Sequence, residues 1–546
     1  MSKWYSLKDR EVTSSLVLVV LFVAAFLTRL YPLSFSEYPF NNDSLTECGV
    51  ASEILSTGHL EFPPGSQWHG THSVATPILN LFLAFSSASL GANPIECAQL
   101  LNAVVFLSTI GAIFILVRIM SSSLLGATAA GFTSIVLGTF VFTTASVWKE
   151  ALGFSFFAFA VLFFVCRDRI SFRVLALAII FLIPFVHHLV AAVVLLFLSF
   201  LVIWSWFVAV NRGRIQRRHV MDLAMVGFPV VTAVLYYYCV SFDRISTFSS
   251  PASVLTMVIA FVLLVLSGIA VLSMKKHSKW TFAPAIGGGL IALAVADYYG
   301  WIFPYKHSAS QSYLLLSLVY GFILSVAWYG SEVLVEKIPR YRAVQMGLLI
   351  APLTIIAFGI LGGFTLSSHK VLYRSFDFLD MFVFVGVGVA VTTLKLRHRI
   401  FYPVLPVILI VLALISFPFA YESARLLGVR HDTNGYEVDS FEWLADHADS
   451  RWISSDERLA RIAQNSWGAN RDASLPTMIE KNLALSPDNF YVIEDDWMTL
   501  GVNNYPYGLV VVKESRFSQL MDDANVIYIG GPSSDRILVF VPSTLI

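Results

Sequence analysis

Short clusters of Lys and Arg interrupt an otherwise apolar chain, and they recur at alternate connections between its long apolar runs. The clusters are Lys3, Lys8 and Arg10; Arg118; Arg167, Arg169 and Arg173; Arg212, Arg214, Arg217 and Arg218; Lys275, Lys276 and Lys279; Lys337, Arg340 and Arg342; and Lys395, Arg397 and Arg399. The runs between them approach 20 residues, the length that crosses a bilayer as a helix. Runs near 13–33, 97–119, 124–143, 148–166, 173–187, 189–210, 219–240, 254–273, 281–299, 311–331, 343–364, 376–394 and 400–420 predict about thirteen spans. Basic residues collect on the cytoplasmic side during insertion. The other side of the membrane region keeps only Arg29, Lys149, Arg244, Lys306, Lys370 and Arg374. The pattern predicts a multi-pass plasma-membrane protein with a cytoplasmic N-terminus. An odd number of spans places the C-terminus outside.

With 57% hydrophobic and 13% charged residues, against about 25% charged in soluble domains, the chain expects lipid as its main solvent. A net charge of +0 provides no basic surface for nucleic acid. Four cysteines are too few for a disulfide framework, although Cys48 and Cys97 fall on one side and leave a single bridge open. The start, MSKWYSLKDREV, leads into an apolar run without a small-residue cleavage site and reads as a retained first span.

Two regions are not spans. Residues 34–96 form a long first external loop. Within it SLTECGVASEILSTG (44–58) carries apolar residues at helical spacing and predicts a helix lying on the membrane surface. TPILNLFLAFSSASLG (76–91) predicts a second, too short to cross, with Thr76 as N-cap and Pro77 in the first turn. From 421 charge returns and apolar runs shorten. A helix at 437–448, strands at 452–455, 508–514, 525–531 and 536–542, and helices at 456–465 and 514–523 predict an extracytoplasmic α/β domain over 421–546.

The first loop carries the strongest local signal. Asn41-Asn42-Asp43 opens the first surface helix about ten residues after the first span. Gly58, the Pro63-Pro64 turn, Pro77, the second helix and a span from 97 follow. This order resembles the first external loop of the GT-C superfamily of membrane glycosyltransferases. Members include protein mannosyltransferases, aminoarabinose transferases and the oligosaccharyltransferase catalytic subunit. The resemblance covers the layout of almost the whole chain and residue detail only across 37–118. It implies a polytopic α-helical membrane protein whose region 1–420 is GT-C-like. It further implies inverting transfer of a sugar from a polyprenyl-phosphate donor, such as dolichol phosphate, to a lipid-linked glycan, cell-envelope polymer or protein.

By that resemblance Asp43 is the general base. A carboxylate within hydrogen-bond reach of an attacking hydroxyl or amide accelerates transfer about 10²–10⁴-fold. Asp is also a favoured helix N-cap, and the two readings are compatible. Protein mannosyltransferases place Glu directly after this Asp; here Ser44 follows, and the next carboxylate is Glu47. The resemblance also implies a cation for the donor phosphate. Arg374 and Lys370, in HKVLYRSFDFLD, stand before a late span; an ion pair with Asp377 is the alternative for Arg374. Lys306 and His307, in WIFPYKHSASQ, are a second candidate pair, or an interfacial anchor. Glu150, in TASVWKEALG, is a candidate second carboxylate, or a charge within a helix at the membrane edge. His187 and His188 join two spans and are candidates to line the cavity, or to form a neutral hydrogen-bonded pair.

No metal site is predicted. His69 and His72 are too few for a recognisable zinc set, and EDDWMTLG (494–501) is not the WWDYG-type signature of the cation-dependent oligosaccharyltransferase branch. A divalent cation therefore stays open without ligands to name, and no other cofactor is expected. There is no P-loop, G-x-S-x-G or H-E-x-x-H. Gly287-Gly288-Gly289 reads as close helix packing. A transporter or flippase predicts mid-span charges and an internal repeat, and neither is evident. A polysaccharide polymerase or ligase predicts its large loop late in the chain, whereas here the large loop comes first.

Overall fold

The computed structural model describes the chain except residues 1, 61–74, 246–250, 274–281, 300–310, 362–365, 398–403, 422–429, 449–451, 487, 500, 505–507, 523, 534–535 and 543–546. The Pro63-Pro64 turn, His69, His72, Lys306 and His307 lie outside the described residues, as does the side chain of Lys370.

The N-terminal three quarters are helical. In order they are α1 (Ser2–Leu30), α2 (Asp43–Thr57), α3 (Ile78–Leu90), α4 (Pro94–Ser121), α5 (Leu124–Val136), α6 (Gly138–Ala145), α7 (Lys149–Val165) and α8 (Ile170–Val186). They continue with α9 (His188–Asn211), α10 (Arg217–Ile245), α11 (Pro251–Ser273), α12 (Phe282–Tyr298), α13 (Gln311–Lys337), α14 (Arg342–Leu361), α15 (Leu366–Arg397) and α16 (Val404–Ser416). Among the described residues eight helices are by themselves long and apolar enough to cross a membrane, or nine if α5 and α6 count together. Further apolar helices at Ile78–Leu90, Ile170–Val186, Gly287–Ala296 and Leu405–Ala420 are shorter.

The span expected at 124–143 is broken, with α5 and α6 meeting at 65°. The break has a partner. Arg29 is 0% exposed and donates to the carbonyls of Ser134 (3.1 Å) and Ile135 (2.7 Å) and to Thr144 Oγ1 (2.8 Å). It therefore caps carbonyls that the end of α5 leaves without intrahelical donors. Its guanidinium also lies 3.7 Å from the Phe106 ring centroid. On α4, Gln99 and Asn102 do the same for α6, donating to the carbonyl of Ala145 at 3.0 and 3.1 Å. Arg29 is thus a buried cap, not the external loop charge that the sequence suggests.

Small residues set the closest helix crossings. A Cβ on Gly330 of α13 would sit 1.8 Å from the Gly386 carbonyl of α15, so the two backbones touch. Of the three glycines on α12, Gly287 packs against Gly321 on α13, whereas Gly288 and Gly289 face open space.

The C-terminal segment builds a second core. Its helices are α17 (Gly435–His447), α18 (Glu457–Trp467), α19 (Leu475–Lys481) and α20 (Glu514–Asp522), and its strands are β1 (Trp452–Ser454), β2 (Asn470–Asp472), β3 (Phe490–Glu494), β4 (Val502–Asn504), β5 (Gly508–Val510), β6 (Ala524–Gly530) and β7 (Ile537–Pro542). Five strands form one sheet in the order β2-β1-β3-β7-β6, with β1 parallel to β2 and β3 and β7 antiparallel to its neighbours. In register, Tyr491 stacks on Phe540 at 5.4 Å between ring centroids. The expected strand at 508–514 is only three residues long and pairs with β4 outside this sheet.

Helix α2 is a wedge between the two cores. Leu45 packs into the C-terminal core with Phe441, Ile453 and Ile462. Cys48 and Ala51 pack with Leu79, Leu83, Ala98 and Val147 of the bundle side. Cys48 and Cys97 remain free thiols, both close to the Pro94 carbonyl. The first loop and the C-terminal segment are therefore in contact, on one side of the bundle.

Candidate functional site

The segment that leads into α2 is held at both ends. Ser36 Oγ donates to the Thr433 carbonyl (2.6 Å), and the Asn41 N–H donates to the His431 carbonyl (3.0 Å). Asn41 takes a left-handed conformation (φ 88°), which Asn tolerates better than most residues. Its Oδ1 accepts from the Asp43 N–H at 2.9 Å. The N-cap reading of Asp43 is thereby corrected. Asn41 supplies the side-chain acceptor, Asn42 precedes the helix without a cap bond, and Asp43 is the first helical residue. A carboxylate at that end suits the helix dipole, and its oxygens do not cap the helix.

Asp43 pairs instead with Arg461 on α18, which also binds Glu457 at 2.9 Å. One turn along each helix, Thr46 and Asn465 exchange side-chain hydrogen bonds at 3.0–3.2 Å. A buried ionic network anchors α18. Arg458 donates to Glu437 (2.8 Å) and Glu494 (2.5 Å), and Arg430 reaches Asp432 (3.1 Å) and Asp496 (3.3 Å). The two guanidiniums hold Glu494 and Asp432 below the ordinary carboxylate range against the opposing effect of burial.

One helical turn beyond Asp43, Glu47 accepts from Asn80 Nδ2 at 2.6 Å and pairs with Lys149 Nζ at 3.4 Å. Lys149 opens α7, and the next residue is Glu150. The structure brings three of the expected site residues together here. Glu150 Oε1 lies 3.1 Å from Arg374 Nη1 and 3.6 Å from His187 Nε2. The Arg374 guanidinium stands 5.4 Å over the Trp148 ring, whose N–H donates to the Thr143 carbonyl (2.8 Å). Thr143 Oγ1 in turn donates to Asp377 (2.8 Å). Glu150 is therefore a buried partner across helices and not a stray charge at the membrane edge. The alternative pairing of Arg374 with Asp377 gives way to Glu150, while Asp377 accepts from Thr143. His187 and His188 stack at 4.6 Å between centroids, with only His187 on Glu150.

Several polar residues here escaped the sequence reading. Asp380 belongs to α15, inside the span expected at 376–394. Asp380 is 0% exposed and accepts from Tyr320 at 2.7 Å. Arg461 and Asn465 carried no signal beyond sharing one face of a predicted helix. Among the described residues no group of three His, Cys, Asp or Glu could hold a metal ion.

Beside the loop, Tyr31, Phe35, Phe417, Pro418, Tyr421 and Asp432 line a pocket of about 290 Å³. Its aromatic wall continues inward through Phe40, 5.4 Å from Tyr421, and Phe142, 5.9 Å from both Phe40 and Trp148.

Comparison with known proteins gives the fold. Over 89% of its length the chain matches 70% of the archaeal oligosaccharyltransferase AglB from Archaeoglobus fulgidus, solved with an inhibitory peptide and a dolichol-phosphate, with a TM-score of 0.54 at 14% identity. The apo crystal structure of the Archaeoglobus fulgidus oligosaccharyltransferase gives 0.54 at 12% identity over the same shares. The mycobacterial arabinofuranosyltransferase AftD matches at 0.49 and 12% identity, over 96% of this chain and 40% of that one. No family model and no curated protein matches the sequence. The chain thus shares the fold of the archaeal oligosaccharyltransferase, in keeping with the resemblance that its first loop carries.

Proposed function

We propose that the chain is a membrane glycosyltransferase that takes one sugar from a polyprenyl-phosphate carrier and passes it, with inversion, to a lipid-linked glycan, a cell-envelope polymer or a protein. The reaction runs at the outer face of the plasma membrane. About thirteen spans, the shorter and broken helices included, leave the N-terminus in the cytoplasm and the C-terminal segment outside. The acceptor hydroxyl or amide attacks the anomeric carbon and gives its proton to Asp43. The bond from that carbon to the phosphate oxygen breaks, and the polyprenyl phosphate leaves with the electron pair. Arg374 binds the phosphate, exchanging its contact with Glu150 for the incoming anion, and its rigid fork of donors suits that geometry. Glu150 then keeps His187, 3.6 Å away, as its partner. Lys370, His188, Lys306 and His307 remain candidate contacts to the donor.

One arrangement carries this reading. On a GT-C fold, the wedge helix presents Asp43 one turn from Glu47, which binds Lys149, and the neighbouring Glu150 holds Arg374. A half-exposed carboxylate paired with Arg461 and a cation suited to a phosphate are thus linked through the consecutive residues Lys149 and Glu150 of α7.

The test is Asp43→Asn in lipid-reconstituted protein supplied with a panel of polyprenyl-phosphate sugars. Transfer should fall by about 10²–10⁴-fold with the melting temperature unchanged. Turnover at the wild-type rate would remove Asp43 as the base.

A further inference from the structure

We infer that the aromatic pocket between the ends of α1 and α16 is a subsite for a saccharide unit of the acceptor. As an acceptor subsite it rests on the transferase reading; as a saccharide site it stands on its own geometry.

The walls are rings. Tyr421 lies 5.2 Å from Tyr31, 5.6 Å from Phe417 and 6.2 Å from Phe35, all between centroids. Tyr31 and Phe35 are 50% and 40% exposed, although each touches other rings. The Tyr421 hydroxyl donates to the Thr28 carbonyl, which fixes the ring that forms the back of the pocket. One charged group completes the lining, the carboxylate of Asp432, which accepts from Arg430 at 3.1 Å.

This combination selects among ligands. An alkyl chain would strip water from the acceptor sites of Asp432 that Arg430 does not take, which is costly. A quaternary ammonium suits an aromatic cage, but Arg430 already neutralises Asp432. A sugar ring presents an apolar face of C–H groups and a rim of hydroxyl donors. The face packs on an aromatic ring, and a hydroxyl donates to Asp432, whose carboxylate has acceptor sites beyond the one that Arg430 takes. A volume of about 290 Å³ is at the small end of ligand sites and fits one or two rings, not a long chain.

The position fits the acceptor. The hydrogen bonds from Ser36 to Thr433 and from Asn41 to His431 join the pocket wall to the segment that leads into Asp43. Phe40 packs on Tyr421 and is three residues before Asp43. A saccharide in the pocket is therefore held in fixed relation to the carboxylate, at the rim where a lipid-linked glycan leaves the bilayer.

The experiment is saturation-transfer NMR on the full chain in nanodiscs with methyl α-D-mannopyranoside, methyl α-D-glucopyranoside and methyl β-D-galactopyranoside. At least one glycoside should receive saturation, and Phe417→Ala and Tyr31→Ala should each weaken its binding about tenfold, the effect of losing an aromatic contact. No transfer to any of the three, or binding unchanged in both variants, overturns the inference. So does displacement of the glycoside by choline chloride or by octyl phosphate. The readout needs no turnover. Glycoside binding by an Asp43→Asn chain that transfers nothing supports the pocket, and a chain that transfers sugar yet binds no glycoside overturns it while leaving the transferase reading in place.

Discussion

Arg461 of the C-terminal segment forms an ion pair with Asp43 at the first turn of the wedge helix. The two side chains are 25% and 30% exposed. Ion pairs in such wet surroundings contribute about 0–1 kcal/mol to stability. Arg461→Ala should therefore shift the melting temperature little, while transfer falls because the carboxylate loses the group that orients it. Differential scanning fluorimetry beside a turnover assay checks this. A large loss of stability with unchanged turnover would make the pair structural.

Arg374 and Glu150 offer a sharper separation. Removing Arg374 alone leaves Glu150 buried without its main cation, which costs about 3–5 kcal/mol. Arg374→Gln combined with Glu150→Gln removes both charges and should recover most of that stability. The double variant should still show a raised KM for the lipid-phosphate donor. A normal donor KM in the folded double variant would exclude Arg374 as the phosphate ligand.

Arg458 answers two buried carboxylates at once, Glu437 and Glu494. Arg458→Ala should destabilise the C-terminal segment by about 3–5 kcal/mol. Limited proteolysis should then cut within 430–500 while the helical bundle survives. Resistance equal to wild type would mean that water or neighbouring residues satisfy both carboxylates.

His431 packs edge-on against Phe142 at 4.8 Å, and among the described residues its Nδ1 has no hydrogen-bond partner. Burial pushes its pKa down from 6.5 to about 4. The neutral ring belongs to the fold and the protonated ring to the unfolded chain. The stability it contributes is complete above about pH 6.5 and is lost as pH falls towards 4. Thermal melts should show a steeper acid loss for wild type than for His431→Phe. Parallel curves would show that His431 is already charged in the fold.

Much of this was legible beforehand. The wedge helix, its short partner and most helices of the bundle follow from apolar spacing and length, and Asp43 stood out because of where it falls after the first span. The pairing of Glu150, Arg374 and His187 was legible as three separate candidates but not as one cluster, since the contacts join α7, α8 and α15. Three kinds of feature stayed hidden. The bend between α5 and α6 rests on Arg29 capping carbonyls more than a hundred residues away, which no local pattern records. The central strand Phe490–Glu494 is five residues long and followed by Asp495-Asp496, so it reads as loop. The partnership of Arg461 with Asp43 depends on tertiary docking of two amphipathic helices, and either residue alone resembles an ordinary solvated charge.

The touching backbones of Gly330 and Gly386 have a mechanical consequence. With no side chain between them, α15 lies against α13 main chain to main chain at this crossing. Arg374 therefore sits at a depth set by main chain against main chain. On the proposed function, a lipid carrier brings its headgroup to that level.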